Sequence, residues 1–394
     1  MPRGSLAEVS PSFPHRPRLS DIDALRGIAV AMVVISHIPG CLLSPPPEWM
    51  LPPSRGLTVG VEIFFVISGF VIGRSLHPEM MRGASIGQHW LTIRRFWLRR
   101  ARRLLPAAYL WLAISCTASL IFTTGLFDSP ISTLYAGIAA LIDLENVLLA
   151  FRVQHNLAPG PLFHYWSLSL EEEFYFILPF FLLLPRRFLV VSLLIAIPVI
   201  SWTNGYYAAA FRCEELLSGL VLSVFPGDSR RCQHIEHAAI GLRPLLPALS
   251  IALLFAVAQL AAFSELASFG RPVQFWLARL GIAAGSTLLV WLASRDDGLL
   301  VGRGRVYHLL LGLGRRSYSI YLAHICAFFG AHEIIVRLQG RDMANGFVEA
   351  LAFLIGFALL VFFSETTYRI IELQGWRKPG VPIGQPDVLA QPVK

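Results

Sequence analysis

The sequence predicts an all-α, polytopic membrane protein, and three observations carry that reading. Of its 394 residues, 55% are hydrophobic and only 15% are charged, against roughly a quarter charged in an ordinary soluble domain. Mean hydropathy is positive. Several apolar stretches, Leu245 to Phe263 and Phe347 to Phe363 among them, reach the roughly 17–25 residues needed to cross a hydrocarbon core. A soluble fold would have to bury all of them with too little polar surface to cover the result, which excludes that class.

Eleven candidate spans follow in order: 24–42, 57–75, 104–122, 133–150, 165–184, 188–202, 207–225, 245–263, 275–293, 316–334 and 347–366. Basic residues mark cytoplasmic loops. Arg16, Arg18 and Arg26 place the N-terminus inside, and the block Arg94 to Arg103 returns inside before the third span. From the other end, Arg186–Arg187, Arg230–Arg231 with Arg243, Arg295 to Arg305, and the tail with Arg377 and Lys378 are basic. The loops around Thr203–Tyr206, Ser264–Gln274 and Gln339–Asn345 are poorer in basic residues or mixed in charge.

The two halves agree only if one candidate between 123 and 164 does not cross. The segment 133–150 holds Asp143, Glu145 and Asn146, which are expensive in lipid. It is expected to be re-entrant or packed within the protein. The prediction is about ten transmembrane helices plus one re-entrant or non-spanning segment, with both termini cytoplasmic. Residues 1–22 form a cytoplasmic tail, 23–372 a single transmembrane domain, and 373–394 a flexible cytoplasmic tail. No internal repeat, cleavable leader or fused extramembrane domain is expected, and Pro45–Pro53 reads as a flexible loop.

Charge and cysteine usage narrow the function classes. The formal charge of +8 is concentrated in arginines that abut spans, which favours lipid head groups or an anionic cofactor over nucleic acid. The five cysteines are scattered without a CxxC or Cys/His metal spacing, so neither a disulfide framework nor a metal is implied.

Ionisable groups inside spans are costly and carry the functional argument. Arg26 and His37 lie eleven residues apart in the first span, on one helix face and roughly 16 Å apart along the axis. The imidazole can serve as a general base or proton carrier, or as a structural hydrogen-bonding group. Glu62 lies on the second span at a matching depth and can pair with His37; its plainer reading is a helix cap. Six arginines between Arg94 and Arg103 suit phosphates, and equally suit anionic lipid. The run His164-Tyr165-Trp166-Ser167-Leu168-Ser169-Leu170-Glu171-Glu172-Glu173 offers carboxylates for hydroxyl groups and an indole for a sugar face, although aromatics belong at membrane interfaces anyway. Arg212 and Glu215 are spaced for an ion pair on one helix face, and Tyr321 and His324 share a face.

In this order the motifs resemble the acyltransferase-3 family of integral membrane acyltransferases. The resemblance rests on Asp23-Ala24-Leu25-Arg26-Gly27 with His37, Gly60-Val61-Glu62-x-Phe64-Phe65-x-x-Ser68-Gly69-Phe70, and Arg100-x-x-Arg103-Leu104-Leu105-Pro106. It continues in Trp166-Ser167-Leu168-Ser169-Leu170-Glu171, Arg212-x-x-Glu215-Leu216-x-x-Gly219, and Ser317-Tyr318-Ser319-x-Tyr321-Leu322-x-His324. It implies an enzyme of roughly ten helices that takes an acyl group, most often acetyl, from acyl-CoA at the cytoplasmic side of a bacterial inner membrane. The implied acceptor is a saccharide-type hydroxyl in a surface polysaccharide, peptidoglycan, lipo-oligosaccharide or macrolide.

Carried over, Arg26 and His37 form the functional pair, and Arg100 with Arg103 the CoA contacts. Two departures stand out: Glu62 where the family often has Asp, and Glu214 where an aromatic often precedes Glu215.

The expected site therefore comprises His37, Arg26 and Glu62 for catalysis and Arg99, Arg100 and Arg103 for CoA. Trp166, Ser167, Glu171, Arg212, Glu215, Tyr321 and His324 serve the acceptor. In this scheme His37, assisted by Glu62, deprotonates the acceptor hydroxyl, either in direct transfer or through an acyl-enzyme on His37. The rival class is a secondary transporter with His37 and Glu62 as a proton relay, disfavoured by the lack of repeated halves.

Overall fold

The computed structural model describes residues 19–43, 50–83, 85–122, 125–202, 210–224, 245–267, 272–298, 302–339 and 346–375. Both expected tails lie almost wholly outside these residues. So do the basic loop with Arg230, Arg231 and Arg243, the loop at Thr203–Tyr206 and most of Gln339–Asn345. The described chain is helical, with no strand among the described residues.

The first helix, α1, spans Ser20–His37 and stops where Pro39 turns extended (ψ 125°) and Gly40 adopts φ 88°. A short α2 (Leu51–Leu57) leads into α3 (Gly60–Arg82). The arginine block then lies within one long helix, α4 (Ile86–Ile121), rather than preceding it as a loop. Seven described segments are long and apolar enough to cross a membrane, including Ser20–Leu42, Ser54–Arg82 and Ile86–Ile121.

Residues 130–154 do not form one span. They fold as α5 (Pro130–Leu141) and α6 (Glu145–Gln154), separated by a turn at which Asp143 has φ 57°. Near the end of α6, Arg152 donates to the carbonyl and hydroxyl of Ser132 near the start of α5, both at 3.0 Å, and lies 3.6 Å from Asp128. The segment thus folds back on itself, with Glu145 and Asn146 buried and hydrogen-bonded to Ser169 and Glu173 of the next helix. At 12 and 10 residues, neither helix reaches the length needed to cross a hydrocarbon core.

Next come α7 (Tyr165–Phe181) and α8 (Arg186–Trp202), each 17 residues and so about 25 Å long. The described part of the following segment is α9 (Glu214–Val224). After it stand α10 (Leu246–Ala267), α11 (Pro272–Ala293), α12 (Arg305–Arg315), α13 (Ser317–Gln339) and α14 (Gly346–Thr367), with a final turn through Tyr368–Glu372.

One helix was not expected. The residues after Arg305, read as the end of a basic loop, form the amphipathic α12, which lies across α1. A side chain on Gly27 would overlap the carbonyl of Leu310, and one on Gly314 the carbonyl of Asp23. Asp21 fastens this contact: its carboxylate accepts from the Gly298 N–H and the Tyr307 hydroxyl, each at 2.8 Å. Burial and the adjacent Asp21 carboxylate raise the Tyr307 phenol, which therefore stays a donor.

The glycines of two family-like motifs meet each other's helices. On α3, a Cβ at Gly69 would strike the Leu216 carbonyl; on α9, one at Gly219 would strike that of Val66. These glycines serve close helix packing, and this packing brings the start of α9 to the start of α3.

Candidate active site

His37 closes α1 and faces α13. Its Nδ1 lies 2.9 Å from the Val33 carbonyl oxygen and 3.2 Å from Nε2 of His324. Phe163 stands edge-on, with ring centroids 5.2 Å apart. A third imidazole, His164, lies with its ring centroid 5.3 Å from that of His324 and is buried.

The expected depth match between Glu62 and His37 is not reproduced. Gly60 packs against Ala29 and Val33, a turn or more short of His37. The Glu62 carboxylate turns instead to Arg212, 3.6 Å away. Arg212 stays within electrostatic reach of Glu215, as expected, but the two do not share a helix face. Arg212 precedes α9, pairs with Glu62, and lays its guanidinium over the Trp166 ring at 5.3 Å. Trp166 in turn packs edge-on against Phe65.

Several of these groups line one cavity of about 320 Å³. Its walls include His37, Glu62, Trp166, Arg212, Glu215 and Tyr321. Six expected site residues from five parts of the chain thus converge. Behind the wall, the Tyr321 hydroxyl lies 2.5 Å from that of Ser167 and 2.8 Å from the His164 carbonyl oxygen.

Further along α7 stand Glu171 and Tyr175. Glu171 accepts hydrogen bonds from Ser68 and Tyr175. The Tyr175 ring then lies under the Arg100 guanidinium, 5.1 Å away. Arg103 lies within electrostatic reach of Arg100, Arg26, Tyr175 and Glu372. So Arg26, Arg100 and Arg103 form a basic cluster at the far end of α1 from His37. Arg99 stays apart from this cluster, exposed and 3.4 Å from Glu79.

Sequence reasoning missed the buried ion pair between Arg279 on α11 and Glu214 on α9, although Arg279 lines the cavity. The signal was present, because Arg279 is an arginine inside an apolar span. The pair also accounts for the departure at Glu214: an acid stands there to neutralise Arg279. Asn146, which lines the cavity and donates to Glu173 at 3.2 Å, was read only as a reason not to cross.

Comparison with known proteins decides the family. The family described as an acyltransferase domain, acyltransferase type 3, matches residues 19–369. The chain belongs to this family. As an acyltransferase-family member it is similar to the peptidoglycan O-acetyltransferase OatA of Listeria monocytogenes, 27% identical over 342 residues, or 78% of this chain and 49% of that protein. It is also similar to the O-acetyltransferase OatA of Staphylococcus aureus, 28% identical over 382 residues, or 91% of this chain and 57% of that protein. The chain spans about half the length of the curated relatives it matches. No solved structure matches it.

Proposed function

We propose that this acyltransferase moves an acyl group, acetyl foremost, from acyl-CoA to a hydroxyl of a saccharide-type acceptor. The supporting observation is the stacking of two chemically different sites along one helix, α1. An arginine cluster stands at its Arg26 end, and a cavity holding an imidazole, an indole and carboxylates stands at its His37 end.

The arginine end fits a phosphate-bearing donor. Arg103 lies within electrostatic reach of both Arg26 and Arg100, and guanidinium groups grip phosphates in fixed geometry. The cavity fits a sugar. Trp166 offers a flat apolar face, while Glu62, Glu215 and Asn146 offer acceptors and a donor for hydroxyl groups. The donor's pantetheine arm, comparable in length with the roughly 16 Å from Arg26 to His37, carries the thioester from one site toward the other.

His37 then removes the proton from the acceptor hydroxyl as its oxygen attacks the thioester carbonyl carbon. The carbon–sulfur bond breaks, and the proton held by His37 passes to the departing CoA thiolate. A cavity shielded from bulk water strengthens each electrostatic contact.

The test is reconstitution in proteoliposomes with acetyl-CoA labelled in its acetyl group and a panel of saccharides. Label recovered as an ester on a saccharide, with release of free CoA, supports the proposal. Saccharide or anion counterflow without consumption of acetyl-CoA overturns it in favour of transport.

A further inference from the structure

The carboxylate expected to orient His37 is turned away, yet a general base in a cavity needs a fixed tautomer. Three distances identify what fixes it. Nδ1 of His324 lies 2.5 Å from the Tyr321 carbonyl oxygen. A carbonyl only accepts, so this nitrogen carries the hydrogen, and in the neutral ring Nε2 holds the lone pair.

That lone pair faces Nδ1 of His37 at 3.2 Å, and the same Nδ1 faces the Val33 carbonyl at 2.9 Å. Both neighbours accept. His37 Nδ1 therefore carries its hydrogen and shares it between them, which leaves Nε2 of His37 as the unprotonated nitrogen. This is the only assignment of two neutral rings that satisfies all three contacts.

We infer that His324 is the positioning residue of His37: it holds the ring so that Nε2 keeps the lone pair needed to accept the acceptor's proton. His324 is fully buried, has its own Nδ1 tied to its backbone, and lies behind His37 rather than on the cavity wall. The arrangement parallels the support given to a catalytic imidazole by a partner on its second nitrogen. Here the partner is a neutral ring, which costs far less inside a membrane than a carboxylate does. Glu62 is thereby left to the acceptor. Its Oε1 faces Arg212, while its buried Oε2 has no hydrogen-bond partner among the described residues.

The inference rests on the proposed role of His37, and the experiment separates the two. His324→Ala, His324→Gln, Glu62→Gln and His37→Ala are compared in the full-length protein for acetyl transfer. Loss of the positioning partner is expected to lower kcat by about 10- to 100-fold with little change in KM for either substrate. His324→Gln recovers part of this, because its amide oxygen can accept from Nδ1–H of His37. Glu62→Gln raises acceptor KM instead.

A rise in acceptor KM at unchanged kcat in His324→Ala makes His324 a substrate contact and overturns the inference. Retained activity in His37→Ala overturns the proposed base itself. Nitrogen-15 NMR of histidine-labelled wild-type protein reads the tautomer without any variant. An unprotonated Nε2 on His37 is expected, and a protonated one contradicts the assignment.

Discussion

The hydroxyl groups of Ser68 on α3 and Tyr175 on α7 lie 2.7 Å apart, and both donate to the carboxylate of Glu171. This three-residue knot ties α3 to α7, with the Tyr175 ring beneath the Arg100 guanidinium. A carboxylate placed here needs its donors, since an unsatisfied buried acceptor costs about 1–3 kcal/mol. Tyr175→Phe removes one donor and keeps the ring beneath Arg100. A thermal midpoint in detergent lowered by several degrees is expected; an unchanged midpoint means that the knot carries no stability.

Glu214 and Arg279 make a second prediction about a buried charge. Removing one member leaves the other unpaired in a low-dielectric setting, at a cost of about 3–5 kcal/mol. Replacing both by apolar residues of similar size is expected to cost far less. A double-mutant cycle of Glu214→Leu and Arg279→Met, read by thermal unfolding, checks this. Additive losses contradict the pairing.

Among the arginines, position separates those of the proposed donor site from Arg99. Arg100→Ala and Arg103→Ala are expected to raise KM for acyl-CoA at least tenfold, each removing a charged contact of about 1.5–3 kcal/mol. Arg99→Ala, exposed and paired with Glu79, is expected to change it less than twofold. Initial-rate kinetics at varied acyl-CoA decide the matter. Equal effects at all three positions contradict the division.

Under the proposed function, Trp166 offers the acceptor its ring face opposite the one covered by Arg212. Trp166→Ala is expected to raise acceptor KM with little effect on KM for acyl-CoA. Measured the other way round, it places the donor rather than the acceptor against the indole.

The all-α membrane fold was legible because lipid imposes its rules residue by residue. Apolar length marks the long described helices, and Asp143 with Glu145 marks the segment that breaks into two short ones. The helix α12 was not legible, because its polar face sits among basic residues that also read as a loop. It is held to α1 by glycine contacts and Asp21, all of long sequence separation. Within the site, residue types were legible but partners were not. Glu62 was matched to His37 by counting residues from a surface, and that count ignores where α3 begins relative to α1. The contacts between Gly69 and Leu216 and between Gly219 and Val66 set where α9 meets α3, and so place Arg212 within reach of Glu62. No local pattern encodes such a contact.

The central claim is that Nε2 of His37 takes the acceptor's proton, and one assay bears on it most directly. Acetyl transfer from labelled acetyl-CoA to saccharide is measured for wild type and His37→Ala, reconstituted side by side with matched thermal midpoints. A loss of at least a hundredfold in kcat with acyl-CoA binding retained is the predicted result. Transfer by His37→Ala at the wild-type rate contradicts the account.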